Sequence, residues 1–71
     1  MIDASRAKEI LSRMDMDDFS KGELYLSSYG HAGFLNVKNG DARASLDGEF
    51  TADELEAIAC WMRDPTAVIG T

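Results

Sequence analysis

One cysteine (Cys60), one histidine (His31) and one proline (Pro65) are all that 71 residues contain of those types. A lone cysteine excludes an internal disulfide, and one cysteine with one histidine cannot supply the Cys/His sets of closed structural zinc sites. Hydrophobic residues are 45% of the chain, yet nowhere gather into the roughly 20-residue apolar run of a bilayer span. Residues 1–11 mix charged and apolar side chains, unlike the apolar stretch of a signal peptide, so a cytoplasmic protein without membrane contact is expected. Positive charge is also scarce: 7 Lys and Arg stand against 13 Asp and Glu, a formal net charge of -6. That balance repels a phosphate backbone and attracts basic surfaces, which favours a basic protein partner over nucleic acid.

What is present suffices for one packed domain over residues 1–71 and for no second core. A domain this short buries only about 60% of the surface its unfolded chain exposes, and it has neither disulfide nor zinc to compensate. Self-association, a homodimer above all, is therefore a natural source of added stability.

Ala4, Ala7, Ile10, Leu11 and Met14 recur at the three- and four-residue spacing of an amphipathic helix, which predicts a helix over about 3–15 with Asp3 or Ser5 as its cap. The acids Asp15, Asp17 and Asp18 oppose the helix dipole at its C-terminal end, so they read as a solvated loop. Alternating segments at 23–29, 34–38 and 41–46 predict three strands. Gly30-His31-Ala32-Gly33 reads as a loop between the first two, and Asn39-Gly40 as a two-residue hairpin turn between the second and third. Thr51-Ala52-Asp53-Glu54 is a capping box, with Phe50 and Leu55 placed as a hydrophobic staple, and predicts a helix over 52–64 that Pro65 ends. Leu55, Ile58, Ala59 and Met62 form its expected buried stripe; residues 65–71 remain as a short tail. The expected fold class is α+β in the order α-β-β-β-α, a three-stranded antiparallel sheet packed against two helices.

The Asn39-Gly40 turn sets Lys38 opposite Asp41, Val37 opposite Ala42 and Leu35 opposite Ala44. With Tyr29 opposite Phe34, one sheet face reads Leu24, Leu26, Leu35, Val37, Ala42, Ala44 and Leu46, the expected core. The other carries Tyr25, Tyr29 and Phe34 beside Ser27, Asn36, Lys38, Arg43 and Ser45. Aromatics beside an arginine are enriched at protein interfaces and also form the stacking platforms of single-strand nucleic-acid binders. Three covers suit this face: the first helix, a second copy of the chain, or a partner.

Catalytic and metal chemistry find little footing. An EF-hand counted from Asp15 would need an oxygen ligand at Phe19, glycine at Ser20 and glutamate at Leu26, and fails at all three. His31 lacks a sequence neighbour that would act as nucleophile or orienting acid, so it reads as an exposed loop histidine. No phosphate-binding glycine loop, nucleophile elbow or paired zinc motif occurs. No enzyme, cofactor or metal is expected. At about 100° per residue Cys60 falls on the surface of the second helix, and Trp61 at the margin of its buried stripe.

The short acidic chain, with its crisp strand-to-helix segment Leu46-Asp47-Gly48-Glu49-Phe50-Thr51-Ala52-Asp53-Glu54-Leu55, resembles small phage-encoded accessory proteins, anti-CRISPR proteins among them. The resemblance is one of type over the whole chain and carries over no functional residue. It implies an inhibitor or adaptor in the host cytoplasm that occupies a positively charged surface of a defence complex. The residues expected to bind such a partner are Tyr25, Tyr29, Phe34, Asn36, Arg43, Asp15, Asp17 and Asp18. The alternatives are a single-stranded nucleic-acid binder using the aromatic face, and a structural homodimeric phage accessory protein.

Overall fold

The structure, a computed structural model, describes residues 2–20, 22–28 and 30–69, with backbone alone at 18–20. Its elements run α1 (Ala4–Ser12), β1 (Met16–Ser20), β2 (Glu23–Ser28), β3 (His31–Lys38), β4 (Asp41–Gly48), α2 (Ala52–Arg63) and α3 (Pro65–Ile69). The four strands form one antiparallel meander in the order β1-β2-β3-β4. The α+β class holds, with one strand and one helix more than the sequence reading expected.

Helix α1 is capped by Asp3, whose carboxylate accepts the Arg6 N–H at 2.8 Å, and it stops at Ser12, three residues before the expected end. Two turn residues and Asp15, at φ 52°, then reverse the chain into β1. Aspartate tolerates this left-handed conformation better than most side chains, which is why the acidic run could turn rather than fray. β1 is the strand that the sequence reading took for a solvated loop. Its acids lower β propensity, but Met16 faces the core opposite Leu26 while Asp17 is exposed opposite Tyr25, which is ordinary strand alternation.

The join between β2 and β3 also differs. Ser28 pairs with His31, so two positions rather than four link the strands, and Tyr25, not Tyr29, lies opposite Phe34. The pairing slides by four residues, an even number, and every described side chain of the expected strands keeps its expected face. Gly33, expected in a loop, lies within β3. It is a strand residue under close cover: a Cβ there would sit 2.9 Å from Leu46 Cδ2 and 3.1 Å from the Ser45 carbonyl. Two positions along the same ladder, opposite His31, Gly48 has φ 141°, and a Cβ on it would lie 2.1 Å from the Gly30 carbonyl oxygen, which accepts the Glu49 N–H at 3.0 Å.

Both long helices pack on the Leu24, Leu26 and Leu35 face. Ala7, Ile10, Leu11, Met14, Ala57, Ile58, Trp61 and Val68 complete one buried cluster with them. This cover stops short of β4: Ala42 is half-buried, but Ala44 and Leu46, read as core, are exposed. The buried stripe of α2 is rotated from the expected one. Leu55 is 47% exposed and Met62 and Ala59 are half-buried, whereas Trp61, expected at the margin, is 1% exposed and Cys60 is half-buried rather than on the surface. The reason is that α2 packs against α1 as well as the sheet, so its buried surface centres between the two contacts. The expected tail at 65–71 is helical through Ile69. Pro65 occupies its first position, Asp64 Oδ1 accepts the Ala67 N–H at 3.2 Å, and Val68 is buried.

This rotation separates two substitutions on α2. Trp61→Ala should cost about 3–5 kcal/mol, most of the stability of so small a domain, while Leu55→Ser should stay within about 0.5 kcal/mol. Urea unfolding of the two variants checks this; a Leu55→Ser loss as large as that of Trp61→Ala would restore the unrotated stripe.

Candidate functional site

The sheet face turned away from the helices carries the aromatic residues that the sequence singled out. Cross-strand pairing brings Tyr25 beside Phe34, ring centroids 4.6 Å apart and tilted by 35°, an offset arrangement that aromatic pairs favour. Tyr25 is 37% exposed and Phe34 half-buried. Ser45 continues the row on β4, and the next row is Glu23, Asn36 and Arg43. Helix α1 does not cross this face, since its Ile10, Leu11 and the adjoining Met14 belong to the buried cluster on the other side.

Of the expected partner-binding residues, the structure thus joins Tyr25, Phe34, Asn36, Arg43 and Asp17 on one face. Asp15 lies apart, in the turn before β1; Tyr29 lies outside the described residues, as does the side chain of Asp18. Charge on the face is mixed but acidic: Asp17, Glu23, Asp41 and Asp47 stand against Lys38 and Arg43. The Arg43 guanidinium is engaged within its own strand, donating from Nε and Nη2 to Asp41 Oδ2 at 3.1 and 2.9 Å.

A second constellation sits on the helix side, at the end of the sheet, and the sequence reading missed it. His31 is a strand residue there rather than an exposed loop residue. Its Nε2 lies 3.2 Å from Glu54 Oε1 and 3.1 Å from Oε2, and its ring meets Phe50 edge-on at 5.2 Å. The capping box orients the acid: Thr51 N–H donates to Glu54 Oε1 at 2.7 Å, and Glu54 N–H donates to Thr51 Oγ1 at 3.2 Å. No local pattern joins residues 23 positions apart. The clue available was the strong helix start at Thr51 together with a β4 long enough to end opposite His31. Ser28 pairs with His31 across the ladder, and its Oγ is buried without a hydrogen-bond partner among the described residues. Among the described residues no group of three or more His, Cys, Asp or Glu side chains is placed to hold a metal ion, and no helix is long and apolar enough to cross a membrane.

Comparison with protein-family models, curated proteins and solved structures found no match to this chain.

The Thr51 backbone N–H holds the Glu54 carboxyl below its ordinary value of 4.5, assisted by the charge of His31 and opposed by burial. A carboxyl held lower in the folded state stabilises the fold above its unfolded value and loses that contribution as pH falls through the folded one. Stability should therefore fall as pH drops below about 4.5, and Glu54→Gln should reduce that acid sensitivity while lowering stability at pH 7. Glu9, also held low by Arg6, keeps some sensitivity in the variant. Thermal melts between pH 3 and 7 check this; identical pH profiles for wild type and variant would remove Glu54 from the account.

Proposed function

We propose that this chain is a non-catalytic binding module whose open sheet face docks on a basic surface of a partner protein, as an inhibitor or adaptor. The observation that carries the proposal is the stacked Tyr25–Phe34 pair on a sheet face that none of the described helices covers, set among Asp17, Glu23, Asp41 and Asp47. Amphipathic rings at the centre of such a patch supply desolvated contact area, while the acids around them steer a cationic partner and fix its orientation. The net charge of -6 gives long-range attraction of the same sign. The reading agrees with the resemblance to small phage-encoded proteins of the anti-CRISPR kind, which act by occupying such a surface in the host cytoplasm.

The same two rings favour a second reading, base stacking by single-stranded nucleic acid with Lys38 and Arg43 on phosphates. The four acids and the Asp41 grip on Arg43 weigh against it.

Both readings are tested with one variant. Tyr25→Ser/Phe34→Ser removes a surface pair worth about 0.5–1.5 kcal/mol beyond area burial, so the fold should survive. Affinity capture from bacterial lysate, analysed by mass spectrometry, should recover a basic protein on the wild type but not on the variant, and raising the salt to about 0.5 M should release it. Salt-independent capture, or equal capture by the variant, would sink the proposal. A low-salt fluorescence titration with mixed single-stranded oligonucleotides should show no binding; tight binding lost in the variant would install the second reading instead.

A further inference from the structure

The two edges of the sheet are unlike. β1 is five residues long, and its register shifts between Asp17 and Ser20. Short length and a bulge are the usual protections of an edge strand. β4 is eight residues long and pairs with β3 in unbroken register from His31–Gly48 to Lys38–Asp41. It has no proline, no lysine and no bulge, and its one cation is held by Asp41. On the helix side of this edge, where the cover stops, Ala44 and Leu46 are exposed.

The backbone of β4 shows how that edge would pair. Asn39 and Gly40, at φ 56° and 78°, form a two-residue turn, which makes Lys38–Asp41 a hydrogen-bonded pair. The Glu49 N–H to Gly30 carbonyl bond at the far end keeps the same phase. Alternation then points the N–H and C=O groups of Asp41, Arg43, Ser45 and Asp47 at β3, and those of Ala42, Ala44 and Leu46 away from the sheet.

We propose that β4 pairs antiparallel with β4 of a second copy of this chain, about a two-fold axis at Ser45, so that two four-stranded sheets become one of eight strands. Self-complementarity selects both the occupant and the register. With Ser45 opposite itself, the outward-pointing groups of Ala44 meet those of Leu46 in the second copy, and the reciprocal pair does the same. On the aromatic face Arg43 then lies opposite Asp47 of the second copy, twice over. Moving the axis to Ala44 keeps the backbone phase but sets Asp41 against Asp47 inside the paired strands, a like-charge pair that cross-strand energetics disfavours, whereas in the Ser45 register Asp41 meets Glu49, past the end of β4 at Gly48. On the helix side, Leu46 and Ala44 of each copy cover one another. The inference stands apart from the basic-partner reading, since the Tyr25–Phe34 pair stays uncovered in the dimer.

Sedimentation velocity from micromolar to millimolar concentration reads the assembly directly. The wild type should shift from 7.8 kDa to twice that mass. Arg43→Asp and Asp47→Arg should each weaken the dimer about tenfold or more by opposing like charges, and the double exchange Arg43→Asp/Asp47→Arg should restore it. Ala44→Pro, which removes an N–H that β3 does not use, should yield a folded monomer by thermal melting. A wild type that remains monomeric to millimolar concentration overturns the proposal. So does a dimer that tolerates Ala44→Pro, or a double exchange that restores nothing. Failure of the dimer would leave the capture of a basic protein unaffected, so the two readings fail separately.

Discussion

The constraint behind this structure is that 71 residues supply enough apolar surface to seal one face of the sheet as far as β3 and no further. Trp61 is where that seal closes. It lies at 1% exposure in a cluster that draws on α1, α2, α3, β2 and β3, in which the small Ala7 and Ala57 are wholly buried as well. With the helices committed to that side, the opposite face and the outer strand are left to solvent. The open aromatic face and the uncovered β4 are thus two results of the same shortage.

Much of this was legible in the sequence where chemistry is local. The Thr51 capping box, the Asn39-Gly40 turn and the spacing of Ala7, Ile10, Leu11 and Met14 each specify their element without outside help, and each is found in place. The face assignment survived even an incorrect join between β2 and β3, because an even shift preserves alternation. What escaped was decided by distant partners. β1 is a strand because β2 offers it an edge, despite acids that disfavour strands. Gly33 and Gly48 are small because Leu46 and the Gly30 carbonyl approach them, which no turn rule reveals. The phase of α2 follows from packing against both α1 and the sheet, and a single-stripe reading assumes one neighbour.

The candidate site divided along the same line. Tyr25, Phe34, Asn36 and Arg43 could be grouped from hairpin register alone, and Asp17 joined them only once β1 existed. The His31–Glu54 contact required knowing that β4 runs to Gly48 and delivers α2 beside the start of β3. A capping acid that also meets a histidine ties the helix start to the sheet, so one carboxylate serves both local and tertiary structure.

The helix layer has a geometric corollary at the chain ends. α1 packs against α3 as well as α2, so the first and last helices are neighbours on the side of the sheet opposite Tyr25 and Phe34. Ile2 and Ile69, the first and last described residues, both pack against the buried cluster. Whatever ties these two residues down therefore braces the helix layer and leaves the aromatic sheet face free.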